Sequence, residues 1–248
     1  MTVFHKQISL PGPLDDLYLP VAVNGCQSGL TGDNTGTHIA DRNPWYSEMT
    51  ALYWAWKNLE AERLGLCHYR RYFTLSSFLF SRKAKWLGIL NAEQVEKLFT
   101  KIQIILPRQR RYYIETRFSQ FAHAHGATGL DVARTTLQEH SPEYLPFFDV
   151  VIGRTWGHNF NMFIMRRDIL DTYCTWLFNV LFAVEDRLRC ENALRQRLMG
   201  YISERLLDVW LEHEKHPYLE LPVLQLDRVN WPRKIVAFLG RKLRGGHV

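Results

Sequence analysis

The sequence predicts an α/β layer architecture. Strand-like and helix-like patterns alternate along the chain, and no internal repeat or Gly/Ser/Pro-rich linker divides its 248 residues. The composition, 46% hydrophobic with 15 glycines and 10 prolines, excludes a disordered or fibrous chain. A chain of this length buries about 70% of its unfolded surface, so its core requires neither metal nor disulfide staples.

The elements follow in order. Val3 and Phe4 read as a short strand, and Pro11, Gly12, Pro13 and Pro20 mark the loop after it. Thr31–Asp41 is a polar loop. Asn43-Pro44 opens a helix, with Asn as cap and Pro at the first position. Met49, Leu52, Tyr53, Trp56 and Leu59 give that helix one apolar face. Leu64–Cys67 is strand-like and runs into a basic, aromatic segment, His68–Phe73. Continued in extended form, it places His68, Arg70 and Tyr72 on one side and Tyr69 and Arg71 on the other. Asn91 and Gln94 form a capping box for a helix to about Lys101. Ile102–Leu106 is a strand that stops at Pro107. Ile114, Phe118, Phe121 and Ala122 mark a helix that ends at His125-Gly126. Asp149–Gly153 and Asn161–Met165 are strand candidates. Helices are expected at Asp168–Val184 and Asn192–Glu214, the latter with Leu198, Ile202, Leu206 and Trp210 on one stripe.

In open α/β sheets ligands bind outside the carboxyl ends of the strands. His5 and Lys6 follow the first strand. His68, Tyr69, Arg70, Arg71 and Tyr72 follow the second, and Arg108, Arg110 and Arg111 the third. His158, Asn159 and Asn161 lie around the later strands. A mouth so lined suits a compact anion such as a nucleotide diphosphate, since arginine grips phosphate oxygens with paired hydrogen bonds. The competing reading is solvated loop charge. The whole chain carries 31 Lys+Arg against 25 Asp+Glu, a formal +6, which admits anionic partners without selecting one. His123-x-His125 and His213-x-x-His216 lack a third ligand at zinc-like spacing and read as surface histidines. No phosphate-cradling GxxxxGK[ST], no GxGxxG and no nucleophile elbow is present, which removes the commonest ATPase, dehydrogenase and hydrolase readings. Cys26, Cys67, Cys174 and Cys190 form no C-x-x-C pair and read as reduced thiols. MTVFHKQ lacks the apolar stretch of a signal peptide, and no run approaches the roughly 20 apolar residues of a membrane span. A cytoplasmic location is expected, with any membrane attachment peripheral on the inner face of the plasma membrane.

Five segments carry a family resemblance: GDNTG at 32–36, NPWYSEMTALYWAWKN at 43–58, LGLCHYRRYF at 64–73, HNFNMFIMRRDILDTYCTWLF at 158–178 and GYISERLLDVWL at 200–211. They resemble a bacterial capsular polysaccharide and lipopolysaccharide synthesis family, described as a domain of unknown function and related to GT-A-type glycosyltransferases. Some relatives transfer galactofuranose from UDP-galactofuranose. The resemblance implies a GT-A-like (Rossmann-like) mixed sheet flanked by helices, with a helical C-terminal part. It implies one domain over residues 1–230, followed by a basic tail at 231–248. The expected activity is glycosyl transfer, with galactofuranose among the candidate sugars, from a UDP-sugar to a lipid-linked capsular, O-antigen or exopolysaccharide glycan. The alternative is a catalytically inactive nucleotide- or glycan-binding protein of the same fold. No recognised nucleic-acid module is present, so nucleic acid is not an expected partner.

The resemblance also distributes roles. His5, Lys6, Asp33, His68, Tyr69, Arg70 and Arg71 are expected to bind the donor, and His158, Asn159 and Asn161 the acceptor or sugar. Glu204, within GYISERL, is the candidate general base; its other reading is a helix acid paired with Arg205 or Arg197. The family's loop usually reads DDTGDN, whereas here it reads Asp33-Asn34-Thr35-Gly36-Thr37-His38, with two acidic positions lost. GT-A enzymes commonly hold a divalent metal with Asp-x-Asp, but the matching Cys67–Tyr72 contains no acid. No metal or other cofactor is therefore expected, with cations replacing the metal as countercharge. The tail carries Arg233, Lys234, Arg241, Lys242 and Arg244 around Ile235, Val236, Phe238, Leu239 and Leu243, with no Asp or Glu. As a helix it would lie on an anionic membrane or pack on the domain.

Overall fold

Short apolar runs bounded by turn residues supply the strands. The computed structural model describes residues 1–7, 12, 14–25, 29–76 and 81–226. Its strands are β1 (Thr2–Phe4), β2 (Pro20–Ala22), β3 (Thr31–Gly32), β4 (Arg63–His68), β5 (Arg71–Phe73), β6 (Ile104–Pro107), β7 (Arg110–Arg111), β8 (Trp156–Gly157), β9 (Phe163–Arg166), β10 (Leu219–Leu221) and β11 (Val223–Gln225). The main sheet runs β10-β6-β9-β4-β1-β2-β3, with β5 bridging β4 and β11 at its rim. β1, β2, β3 and β4 are parallel, as are β6 and β10. β9 runs antiparallel to both of its neighbours, β4 and β6. Consequently the carboxyl ends of β1, β2, β3, β4, β6 and β10 share one edge with the amino end of β9. β7 and β8 form a separate ribbon.

The helices are α1 (Asn43–Tyr46), α2 (Met49–Asn58), α3 (Arg82–Leu87), α4 (Ala92–Phe99), α5 (Arg117–His125), α6 (Thr128–His140), α7 (Leu145–Gly153), α8 (Arg167–Cys190) and α9 (Leu198–Glu214). Alternation along each strand feeds two apolar layers. Leu64, Leu66, Ile104, Leu106, Phe163 and Met165 join a large core with α2, α6, α8 and α9. Cys67, Ile105 and Ile164 point to a smaller one with Tyr72, Leu90 and Val95. Leu198, Ile202, Leu206 and Trp210 are all buried, as their spacing predicts. The Asn91–Gln94 capping box forms, and Gly126 takes the positive φ (+83°) that ends α5.

Several local expectations are corrected. Asp149–Gly153 is the end of helix α7 and not a strand. Pro146 suits its first turn, and Phe148 and Val151 are buried three apart while Val150 is exposed, a helical pattern. The helix expected from Asn43 is two helices, broken where Ser47 takes φ +52°. Asn43 is not its cap; its side chain donates to Ser47 O and Thr50 Oγ1 instead. His68–Phe73 is not extended throughout: Tyr69 and Arg70 form a tight turn, and His68 pairs with Arg71. The last two helices shift as well, since α8 continues to Cys190 and α9 begins at Leu198. Helix α6 and strands β10 and β11 had no expectation. The tail at 231–248 and the boundary at 230 lie outside the described residues.

Candidate active site

The turn of the β4–β5 hairpin builds the centre of the ligand edge. The Tyr69 ring is buried, stacked on Phe4 with centroids 5.8 Å apart and met edge-on by His5 at 5.0 Å. Lys6 Nζ and the Arg70 guanidinium lie 5.8 and 5.7 Å from its centroid. A ring face attracts cations, so one tyrosine gathers charges that would otherwise repel. Partial burial, then the charges of Arg70, Lys6, Arg197 and His68, hold the His5 imidazole below its ordinary pKa. The edge is therefore electropositive.

Arg197 is a member that sequence reasoning missed as a ligand-edge cation. It sits at positive φ (+63°) before α9, and its N–H donates to Pro44 O at 2.8 Å. Its position just ahead of the quoted GYISERL segment was the available signal.

Asp33, just past β3, is 1% exposed and accepts from Thr50 Oγ1 at 2.6 Å. Burial raises its pKa against the lowering effect of that bond. Thr50 Oγ1 in turn accepts from Asn43 Nδ2 at 2.8 Å, which ties the polar loop to the α1–α2 junction.

The segment 158–161 meets the same edge from the reversed strand. Phe160 and Asn161 both take positive φ, +78° and +52°. The His68 imidazole Nε2 donates to Phe160 O at 2.7 Å, and the Arg71 guanidinium lies 4.2 Å from the Phe160 ring. The Phe160 N–H donates to Glu204 Oε1, while Glu204 Oε2 accepts from Arg205 at 2.6 Å. Asn161 Nδ2 donates to Glu48 Oε1 (2.8 Å) and Gly200 O (3.0 Å), and its Oδ1 accepts from Ser203 (3.1 Å). Glu48 is a second residue that sequence reasoning missed. Among the described residues its other oxygen accepts no hydrogen bond. Its signal lay within NPWYSEMT, but its arrival here depends on the Ser47 bend.

The remaining expected site residues have other partners. Asn159 Nδ2 donates to the Tyr112 hydroxyl at 2.8 Å. His158 is buried between two carboxylates, bonding Asp208 through Nδ1 and its N–H and Glu220 through Nε2 at 3.0 Å. Burial pushes its pKa down, but Asp208 and Glu220 outweigh burial and the net shift is upward. Arg117 closes the network on Asp208. The structure thus gathers His5, Lys6, His68, Tyr69 and Arg70 in one cluster. Arg71, Asn161 and Glu204 meet at the adjoining turn, and His158 is built into a buried network.

Of the four histidines in close pairs, His123 bonds Glu115 at 3.0 Å, His125 stacks on Tyr201 and His213 on Tyr144, while His216 lies against Trp210. Among the described residues no group of three or more His, Cys, Asp or Glu side chains is placed to hold a metal. Cavities of about 680 and 490 Å³ open at the opposite edge of the sheet. The larger is rimmed by the ion pairs Arg63–Glu62, Arg166–Asp168 and Arg167–Asp171, in which opposite charges neutralise one another.

Six co-directional strands, one reversed strand and a helical layer over a cationic edge define a GT-A-like glycosyltransferase fold. The chain belongs to the family described as a domain of unknown function, DUF4422, whose profile matches residues 1–215. It is similar to the solved structure described as the apo form of the bifunctional glycosyltransferase WbbM, with a TM-score of 0.81 and 28% identity over 92% of this chain. The chain spans 45% of that protein's length. No curated protein matches the sequence.

Proposed function

We propose that this chain is a glycosyltransferase that moves a sugar, galactofuranose being one candidate, from a UDP-linked donor to a growing lipid-linked polysaccharide. The supporting observation is the convergence of His5, Lys6, His68, Arg70 and Arg197 at the ligand edge of this fold. In the transfer, the bond from the anomeric carbon to the diphosphate oxygen breaks as the acceptor oxygen bonds that carbon. Negative charge grows on the departing diphosphate. Cations fixed beforehand stabilise that charge more than the intact donor, which is the condition for catalysis.

The hairpin that would carry an Asp-x-Asp offers no acid, and Glu48 and Glu204 are hydrogen-bonded to the Phe160–Asn161 turn. These residues do not fit a divalent metal, so we assign the countercharge to the side-chain cations. An inverting displacement also needs an acceptor for the hydroxyl proton. Glu204 has both oxygens engaged, whereas Glu48 keeps one available. The geometry favours Glu48 as base and Glu204 as the residue that positions the turn.

Thermal melting with UDP and EDTA tests donor binding. UDP at 100 times its Kd stabilises the fold by about 2.7 kcal/mol, a rise of several degrees that Arg70→Ala should abolish. A rise that needs Mn²⁺ or Mg²⁺ overturns the metal-free assignment. The altered polar loop favours the second reading, a binding protein without turnover. Mass spectrometry of products from a UDP-sugar panel, UDP-galactofuranose included, separates the two.

A further inference from the structure

We infer that the ribbon tip Arg110–Ile114 is an interfacial finger that seats the mouth of the site on an anionic membrane surface. Tyr113 and Ile114 are adjacent and 82% and 66% exposed. Single exposed apolar residues are ordinary on a soluble protein, but a neighbouring pair at a projecting tip signals an interaction site. The tip is fixed in shape. Ile114 N–H donates to Tyr112 O at 2.8 Å across Tyr113, which takes φ +62°, a tight and strained turn. Its base is tied down by Tyr112 N–H to Thr155 O (2.7 Å) and Arg117 N–H to Arg154 O (2.8 Å).

The charge around the tip selects the partner. Arg108, Arg110 and Arg111 are exposed on the approach, and residues 102–114 contain no Asp or Glu. Trp156, half-buried on the paired strand β8, adds an aromatic residue of the kind that sits at headgroup level. Arginines flanking an aromatic and aliphatic tip match anionic headgroups over acyl chains. Each cation at such a surface contributes roughly five-fold to partitioning. A glycan platform would carry hydrogen-bonding side chains where Ile114 stands. The finger also touches the site: the Tyr112 hydroxyl exchanges hydrogen bonds with Asn159, and Arg108 directly follows β6 at the ligand edge. The inference rests on the proposed function in one respect, that a lipid-linked acceptor makes such seating useful.

Co-sedimentation of the full chain with phosphatidylglycerol-rich vesicles tests it. Asparagine tolerates the left-handed backbone at 113, so the tip variant is Tyr113→Asn with Ile114→Ser. The charge variant is Arg110→Gln with Arg111→Gln. The charge variant should lose roughly twenty-five-fold in vesicle partitioning, and the tip variant should also fall well below wild type. Both should keep the wild-type melting temperature, and the tip variant should also keep the UDP-induced shift. Those two readouts separate failure of the finger from failure of the transferase reading. A tip variant that sediments like wild type overturns the inference, as does a wild-type chain that fails to sediment. An unchanged vesicle affinity with a raised KM for a soluble glycan acceptor would also overturn it, making the tip a sugar platform.

Discussion

Glu48, at the bend between α1 and α2, and Glu204, on α9, reach the Phe160–Asn161 turn from different sides of the fold, and their surroundings differ. Glu204 faces Arg205, whose guanidinium is buried, so neutralising the acid leaves an uncompensated interior cation. Glu204→Gln should therefore cost roughly 3 kcal/mol of stability, read by denaturant melting. Glu48→Gln should fold normally and lower turnover by about 10² to 10⁴, read by single-turnover product formation. The opposite pattern would return the base to Glu204. Glu204 was legible in the sequence because it lies in a recognisable segment. Glu48 lay in an equally recognisable segment, but its role depends on Ser47 breaking a helix, a bend that no glycine announces.

Elements were legible where pattern and packing agree. The α9 stripe and the Asn91 capping box read correctly, since each is fixed by neighbours in sequence; the strand expected at Ile102–Leu106 forms at Ile104–Pro107, with Pro107 inside it and paired with Leu221. Asp149–Gly153 misled because its β-branched run favours a strand locally, while the burial of Phe148 and Val151 is set by helices α5 and α9 packed over them. The β7–β8 ribbon gives a further test. A Cβ on Gly157 would fall within the Arg117 guanidinium, which cannot retreat because it is buried and paired with Asp208. Gly157→Ala should cost about 1–3 kcal/mol and lower the melting temperature by several degrees. Melting like that of wild type would show that Arg117 has room to move.

At the scale of the whole molecule, the Arg117–Asp208–His158–Glu220 network joins α5, α9 and β10. His158 is held protonated above its ordinary pKa of about 6.5. A raised folded-state pKa contributes stability that is full below about pH 6.5 and is lost as pH climbs through the raised value. Melting temperature should therefore fall as pH rises above about 6.5, and His158→Gln should flatten that part of the profile. A slope unchanged in the variant would place the titration elsewhere. The α/β class and the cationic strand ends were legible because alternation and loop charge are local properties. Which cations converge was not, because Arg197 and His5 are far apart in sequence and Arg197 is held by its N–H on Pro44 O of α1.

The reversal of β9 has an engineering consequence. At a parallel strand's carboxyl end, a ligand-edge loop leads onward to the chain's return across the sheet, so its length is coupled to that return. The 158–161 segment precedes its strand and is spliced between the short β8 and β9. It can be lengthened or exchanged without resetting the span of a crossover helix. Its two positive-φ residues and their side-chain anchors set the boundary conditions for any graft. Because His68 and Arg71 both hold Phe160, such a graft has to keep that contact for the neighbouring cations to stay in place.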